Sequence, residues 1–249
     1  MCQMFEFSLF SGVSSIEDTI ELPGDRMRSM GYKVQSLLID DRSEEDANKR
    51  ADEALRVSLR LGESAIVLGE VRGEETRTLY QSMRVGRAGS SIMGTIHGDS
   101  AKTVYERVVH DMGISPESFM ATDFLITMGT VRDKVTNRQM RRISEFVSTT
   151  DRNGEFSDVS SINVFDTPPM RRIMSTTMMR KEDIINEIDM RAGLRGLLAD
   201  MAAEKGNGYY GPEWIVLADE HMRNCMAAGV SDVRSVVGSF QERISGGER

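Results

Sequence analysis

The chain has 249 residues, 39% hydrophobic and 28% charged, with a formal net charge of −8. That is enough chain for one large domain, or for one domain plus a smaller one, with a sizeable core. The acidic balance argues against a dedicated nucleic-acid binder, which carries a basic stripe. Cys2 and Cys225 stand far apart, and His97, His110 and His221 share no zinc-like spacing with them, which argues against a disulfide framework and makes a reducing cytoplasm the simple expectation. No run of about 18 apolar residues spans a membrane. The opening MCQMFEFSLF lacks the basic and apolar regions of a signal peptide.

In chain order, residues 1–10 read as the tail of an apolar element. Val13 to Ile16 reads as a short strand, and Leu22 to Asp46 as an irregular, increasingly charged segment. Ala47 to Leu61 has helical periodicity and stops at Gly62. Ala65 to Leu68 is a continuous apolar run, as in a strand buried on both faces. A helix over Glu74 to Val85 and a buried strand over Ser91 to Ile96 follow. Thr103 to Met112 reads as a helix ended by Gly113, Ser115 to Ser118 opens another, and Asp123 to Met128 reads as a strand. Val135 to Val147 and Val159 to Phe165 are predicted hairpin strands around the turn Asp151 to Gly154.

Alternating strands and helices with apolar strands predict an α/β sheet, mostly parallel. Pro168-Pro169 marks a boundary, and the pattern beyond it is helical: Glu182 to Met201, with Ile184, Ile188, Leu194, Leu197, Leu198 and Met201 near one face; Glu213 to Ala228; and Asp232 to Ile244, with Ser231 as N-cap. The predicted division is therefore 1–167, the α/β part, and 168–249, a helical part.

Four segments carry candidate chemistry. In Ser14 to Gly24, a strand delivers Glu17 and Asp18 to its carboxyl end, where open α/β sheets bind ligands. Two acids there can hold Mg²⁺ through water or orient an attacking water; they can also simply begin a turn. In Ala65 to Gly73, an apolar strand ends in Gly69-Glu70, the logic of an acid facing a metal-bound phosphate, or else of a strand entering a charged loop. Arg56 and Arg60, spaced i and i+4, share a helix face suited to phosphate or to solvent. His97 ends an apolar strand before Gly98-Asp99-Ser100, placed to sense a phosphate or to be satisfied structurally.

The order and spacing of these boxes resemble the type II/IV secretion and pilus motor ATPase superfamily. IEDTIE resembles its Asp box, GEVRG its Walker B box, and MGTIHGDSAKTVYERVV its His box. The wording around His97, with EDIINEIDMRAGLRGLLADMA and GPEWIVLADEHM, is most similar to the archaeal pilus and archaellum branch.

The resemblance implies a RecA-like core followed by a small all-helical region. It implies a cytoplasmic hexamer held at the membrane by a platform protein, with ATP and Mg²⁺ bound at or near subunit interfaces and no nucleic-acid partner. Glu17 would be the Asp-box acid and Glu70 the Walker B acid, both near Mg²⁺ through water. Arg56 and Arg60 would contact phosphate. Asp18, Arg72 and His97 would line the nucleotide and couple its state to conformation.

One departure is plain. A P-loop needs a glycine-rich turn ending in Gly-Lys-Ser/Thr, and none of Lys33, Lys49, Lys102, Lys134, Lys181 and Lys205 stands in one. The chain begins about where the P-loop helix of the family would be ending. The expectation is an incomplete core with unpaired strand edges and little ATPase activity alone. The readings are a motor's C-terminal part acting with a P-loop part, or a non-hydrolysing subunit or truncated product of the same family. An unrelated α/β binding module and a DNA-processing motor are the other readings.

Overall fold

A computed structural model describes residues 12–39, 44–61, 65–84, 91–134 and 137–245. Two compact units divide between Ile173 and Met174, six residues beyond the predicted boundary and inside a helix rather than at Pro168-Pro169. The tail at 1–10, the acidic residues 40–43 and Gly62 lie outside the described residues.

The first unit begins with a four-stranded parallel sheet in the order β2-β1-β3-β4, made of β1 (Val13–Glu17), β2 (Val34–Leu38), β3 (Ala65–Leu68) and β4 (Ser91–Gly94). Helices α1 (Gly24–Ser29), α2 (Glu44–Leu61) and α3 (Glu75–Arg84) connect them. Every residue of β1 and β3 is buried, in β3 as its apolar run predicts for a central parallel strand. Ile16, Ile39, Leu55, Ile66, Leu68, Val71 and Leu79 form the core between sheet, α2 and α3. Each large aliphatic side chain buried there contributes about 1.5–3 kcal/mol. Ser14 Oγ and Ser58 Oγ meet at 2.8 Å and fix α2 over β1.

The segment Leu22 to Asp46 is not irregular. It holds α1, β2 and the start of α2, three residues earlier than predicted. β2 escapes the apolar pattern because it is an edge strand among the described residues, and its Gln35, Ser36 and Leu38 face solvent. β4 is the other edge, with Ser91, Met93 and Gly94 exposed.

Next come α4 (Ala101–Glu106), which runs on as a π-helical turn over Arg107–Asp111, and the short α5 (Pro116–Phe119). A three-stranded antiparallel sheet follows, built from β5 (Phe124–Arg132), β6 (Gln139–Thr149) and β7 (Phe156–Asp158). The turn at Asp151 to Gly154 joins β6 to β7, but the expected strand over Val159 to Phe165 is absent. Asp158 Oδ1 accepts from the Ser160 amide (2.8 Å) and hydroxyl (2.6 Å), and Asn163 Oδ1 accepts from the Phe165 amide (3.2 Å). These local bonds outcompete a ladder and leave a turn and a 3₁₀ segment, Val164–Asp166. Helix α6 (Pro168–Thr177) follows.

The second unit packs α7 (Lys181–Lys205), α8 (Pro212–Ala227) and α9 (Val233–Ser245) around Met190, Leu194, Leu198, Ala218, Met222, Val236 and Phe240. Ile188, predicted on the buried stripe, is half exposed instead; the stripe follows 190, 194 and 198, and Ile188 falls to its side. Asp232, not Ser231, caps α9: its Oδ1 accepts from the Ser235 amide at 2.8 Å. α7 ends at Gly206, whose φ of +107° suits glycine. Arg191 reaches both Glu187 (2.8 Å) and Asp219 (2.7 Å), which ties α7 to α8.

Burial pushes the His221 pKa down, and its bond to the Val236 carbonyl offsets this in part. The unfolded chain then takes up a proton at higher pH than the folded one. His221 therefore contributes stability that is fully present above the ordinary histidine value of about 6.5 and is lost as pH falls from there through the folded value. Urea unfolding followed by Trp214, the chain's only tryptophan, is expected to show a midpoint that drops over this window. The drop is expected to flatten in His221→Asn; an equal drop in the variant would assign it to other groups.

Candidate functional site

The parallel sheet presents its carboxyl ends on one side. β1 ends in Glu17 and is followed by Asp18, β3 is followed by Gly69-Glu70, and β4 runs into Thr95, Ile96 and His97. The β1–β3 register pairs Ile16 with Leu68, so Glu17 and Gly69 come side by side. The Gly69 amide donates to the Ile16 carbonyl at 2.8 Å. A Cβ on Gly69 would stand 3.4 Å from Glu17 Cγ, so the acid lies directly against β3 there.

Arg72 organises the charges. Its guanidinium donates to Asp18 Oδ2 at 3.0 Å and, more distantly, to Glu70 Oε2 at 3.4 Å. The other oxygen of Glu70 lies 3.2 Å from His97 Nε2. Asp18 Oδ1 also accepts from the Thr19 amide at 2.7 Å. The carboxyl ends of β1, β3 and β4 are thus joined by one chain of polar contacts, Asp18–Arg72–Glu70–His97. A small cavity of about 30 Å³, the size of a single water, lies among Ile16, Asp18, Ile39, Ala51, Glu70, Arg72 and Glu75.

Glu17 is held differently. It is 4% exposed, and its Oε1 accepts from the amides of Glu21 (2.9 Å) and Leu22 (2.8 Å), closing the loop after β1 over itself. Glu75, at the start of α3, is not among the residues the sequence singles out. It is 2% exposed, and its Oε1 accepts from the amides of Arg72 and Gly73, both at 2.8 Å.

The arginine pair is not brought to these acids. Arg56 donates to Asp52 (2.8 Å) on its own helix and to Thr78 (2.9 Å) on α3, and Arg60 lies exposed near the end of α2. The bond to Asp52 holds the Arg56 pKa above its ordinary value.

The loop after β4 is fixed from behind. A Cβ on Gly98 would meet Val104 Cγ2 at 2.5 Å, so the loop can press against α4 only with glycine there. Ser100 caps α4 by accepting from the Thr103 amide at 3.1 Å. Glu145 on β6 accepts from the Ala101 amide at 2.7 Å and from Thr127 Oγ1 at 3.2 Å, which locks α4 to the antiparallel sheet. An open groove of about 770 Å³ runs from His97, Gly98 and Asp99 past Thr103, Glu106 and Arg107 to His110 and Asp111.

Among the described residues, no cluster of three or more His, Cys, Asp or Glu side chains is arranged to hold a metal directly. Both oxygens of Asp18 and both of Glu70 already have partners, the Thr19 amide and Arg72 for the first, Arg72 and His97 for the second.

Acids at the carboxyl ends of central parallel strands, bridged by an arginine and followed by a histidine after the next strand, stand where open α/β sheets bind ligands. The profile of one family, described as type II/IV secretion system protein, matches residues 8–183. The chain belongs to that family.

Competence protein ComGA of Streptococcus pneumoniae is 30% identical over 112 residues, which cover 44% of this chain and 31% of that protein. An uncharacterised protein of Methanocaldococcus jannaschii is 27% identical over 151 residues, 55% of this chain and 54% of that one. The chain therefore spans about a third and about half the length of these curated relatives. The solved ATPase DotB of Legionella pneumophila is similar at a TM-score of 0.45 and 16% identity, covering 66% of this chain and 43% of that one. The VirB11 ATPase of the Brucella suis type IV secretion system is similar at 0.42 and 22%, covering 59% and 44%. Among the described residues, no helix is long and apolar enough to cross a membrane.

Proposed function

We propose that this chain carries the Asp-box, Walker B and His-box part of an ATP-hydrolysing motor subunit that powers assembly or secretion in an archaeal pilus or archaellum-like machine. The observation that carries the reading is Arg72, which links the acid after β1 to the acid after β3 while His97 touches the second of them. Membership of the type II/IV secretion family supports the motor class, and the wording around His97 and in the helical part supports the archaeal branch.

In this reading Glu70 orients the attacking water and draws its proton as the new bond forms. His97 Nε2 lies 3.2 Å from Glu70 and, being largely exposed, can turn instead to a phosphate oxygen. Arg72 balances the two acids until phosphate arrives. Glu17 shapes the loop that presents Asp18. Mg²⁺, held through water by Asp18, Glu70 and Glu17, would neutralise phosphate charge when ATP is bound. Arg56 and Arg60 are proposed to reach phosphate across a subunit interface, which requires Arg56 to leave Asp52. The unit of work is a hexamer in the cytoplasm, held to the membrane by a platform protein, with 1–167 as the nucleotide core and 168–249 as the helical domain.

The phosphate cradle of such an enzyme ends in Gly-Lys-Ser/Thr, which these 249 residues do not contain. The test is ATP turnover by this chain with and without a P-loop segment from the same family, co-expressed or fused. Turnover only with the segment supports the reading. Co-purification without turnover would replace it with a non-hydrolysing subunit, and binding of DNA that weakens with salt would replace it with a nucleic-acid motor.

A further inference from the structure

We propose that Glu75 is the positioning residue of the site: by gripping the backbone of Arg72 and Gly73, it sets the direction from which Arg72 bridges Asp18 and Glu70. This rests on the motor reading for its functional meaning, but not for its structural content.

Glu75 opens α3 and is 2% exposed. A carboxylate taken so far from water is costly unless it gains strong hydrogen bonds. One oxygen of Glu75 gains two, from the successive amides of Arg72 and Gly73 at 2.8 Å each. Those amides belong to the turn that leaves β3, and the Thr76 amide closes it by donating to the Gly73 carbonyl at 3.2 Å. The site at the start of a helix also favours a negative charge.

The other oxygen, Oε2, is buried without a partner among the described residues. A side chain needed only to cap the helix could be a serine, with no charge to bury. The length of glutamate is what reaches back three residues to Arg72. With that amide pinned, the Arg72 side chain starts from a fixed point and spans from Asp18 at 3.0 Å to Glu70 at 3.4 Å. Released, the turn keeps the Val71 amide on the Thr95 carbonyl at 2.8 Å and the Thr76 amide on the Gly73 carbonyl at 3.2 Å, but the amides of Arg72 and Gly73 lose their shared acceptor.

A purely structural cap would leave Arg72 undisturbed once the fold is intact, so the readout is Arg72 itself. In the ¹⁵N-labelled full chain, the Arg72 guanidinium resonance is assigned with Arg72→Lys, and backbone amide exchange is followed at Arg72 and Gly73. Glu75→Ala is expected to move the guanidinium signal to that of an unpaired arginine and to speed exchange at both amides. Glu75→Gln, which keeps the accepting oxygen, is expected to retain the wild-type signal. If Glu75→Ala does not fold, Glu75→Asp decides: its side chain is one methylene too short, and the same movement is expected.

An unmoved Arg72 signal in a folded Ala or Asp variant overturns the proposal, as does a Gln variant that behaves like Ala. In the chain supplied with a P-loop segment, Glu75→Ala is expected to lower kcat about 10- to 100-fold, the range typical of outer-shell partners. It is expected to add nothing further to Arg72→Ala; independent, multiplying losses would also overturn it. If the chain supplied with a P-loop segment shows no ATP turnover while the Arg72 signal behaves as stated, the motor reading fails and the positioning role stands.

Discussion

In the chain supplied with a P-loop segment, Glu70→Gln is expected to lower ATP turnover about 10²- to 10⁴-fold, the range of a lost general base, with the nucleotide KM little changed. Glutamine has the shape of glutamate and keeps an oxygen toward His97 or Arg72, but it cannot take a proton. The bond it weakens is the longer of Arg72's two, 3.4 Å against 3.0 Å to Asp18, so Arg72 remains anchored. The ion pair is partly exposed, and such pairs contribute about 0–1 kcal/mol. The loss should therefore appear in kcat and not in thermal stability. A variant that unfolds in step with its loss of activity would mark Glu70 as structural.

The largest stability effect is expected at Phe119. Its ring is fully buried, and it contacts Tyr80 (5.9 Å, stacked), Tyr105 (5.0 Å, edge-on) and Phe156 (6.3 Å, edge-on). Those rings come from α3, α4 and β7, so a single side chain in the short helix α5 joins the parallel sheet's last helix to the antiparallel sheet. Phe119→Ala removes the ring and leaves a cavity that rigid neighbours on three sides cannot fill, at a cost of about 3–5 kcal/mol. That is a large fraction of a typical domain's stability of about 5–15 kcal/mol. Urea unfolding followed by far-UV circular dichroism checks it; a midpoint corresponding to less than about 1 kcal/mol would mean that the pocket collapses freely.

Ala65 to Leu68 was legible because burial on both faces leaves an apolar run there, whereas Val13 to Ile16 buries Ser14 and Ser15 between its apolar ends. β2 was not, because an edge strand with Gln35 and Ser36 looks like loop. Val159 to Phe165 looked like strand, and only the hydrogen bonds of Asp158 and Asn163 show why it turns. At the site, Glu17, Asp18, Glu70 and His97 were found from their places at strand ends.

Glu75 was hidden because a buried carboxylate and a solvated one look alike in sequence. Its spacing of three residues from Arg72, across a glycine, was the available signal. For Arg56 the signal was Asp52, four residues earlier on the same helix, where a partner is in reach.

The central claim is that the acids of two strands work as one unit through Arg72. A double-mutant cycle of Asp18→Asn and Arg72→Ala, read as ATP turnover in the P-loop-supplied chain, tests it most directly. The expected result is that each single variant loses activity and the double variant loses no more than the worse single one. Losses that multiply would contradict the claim and show that Asp18 and Arg72 act separately.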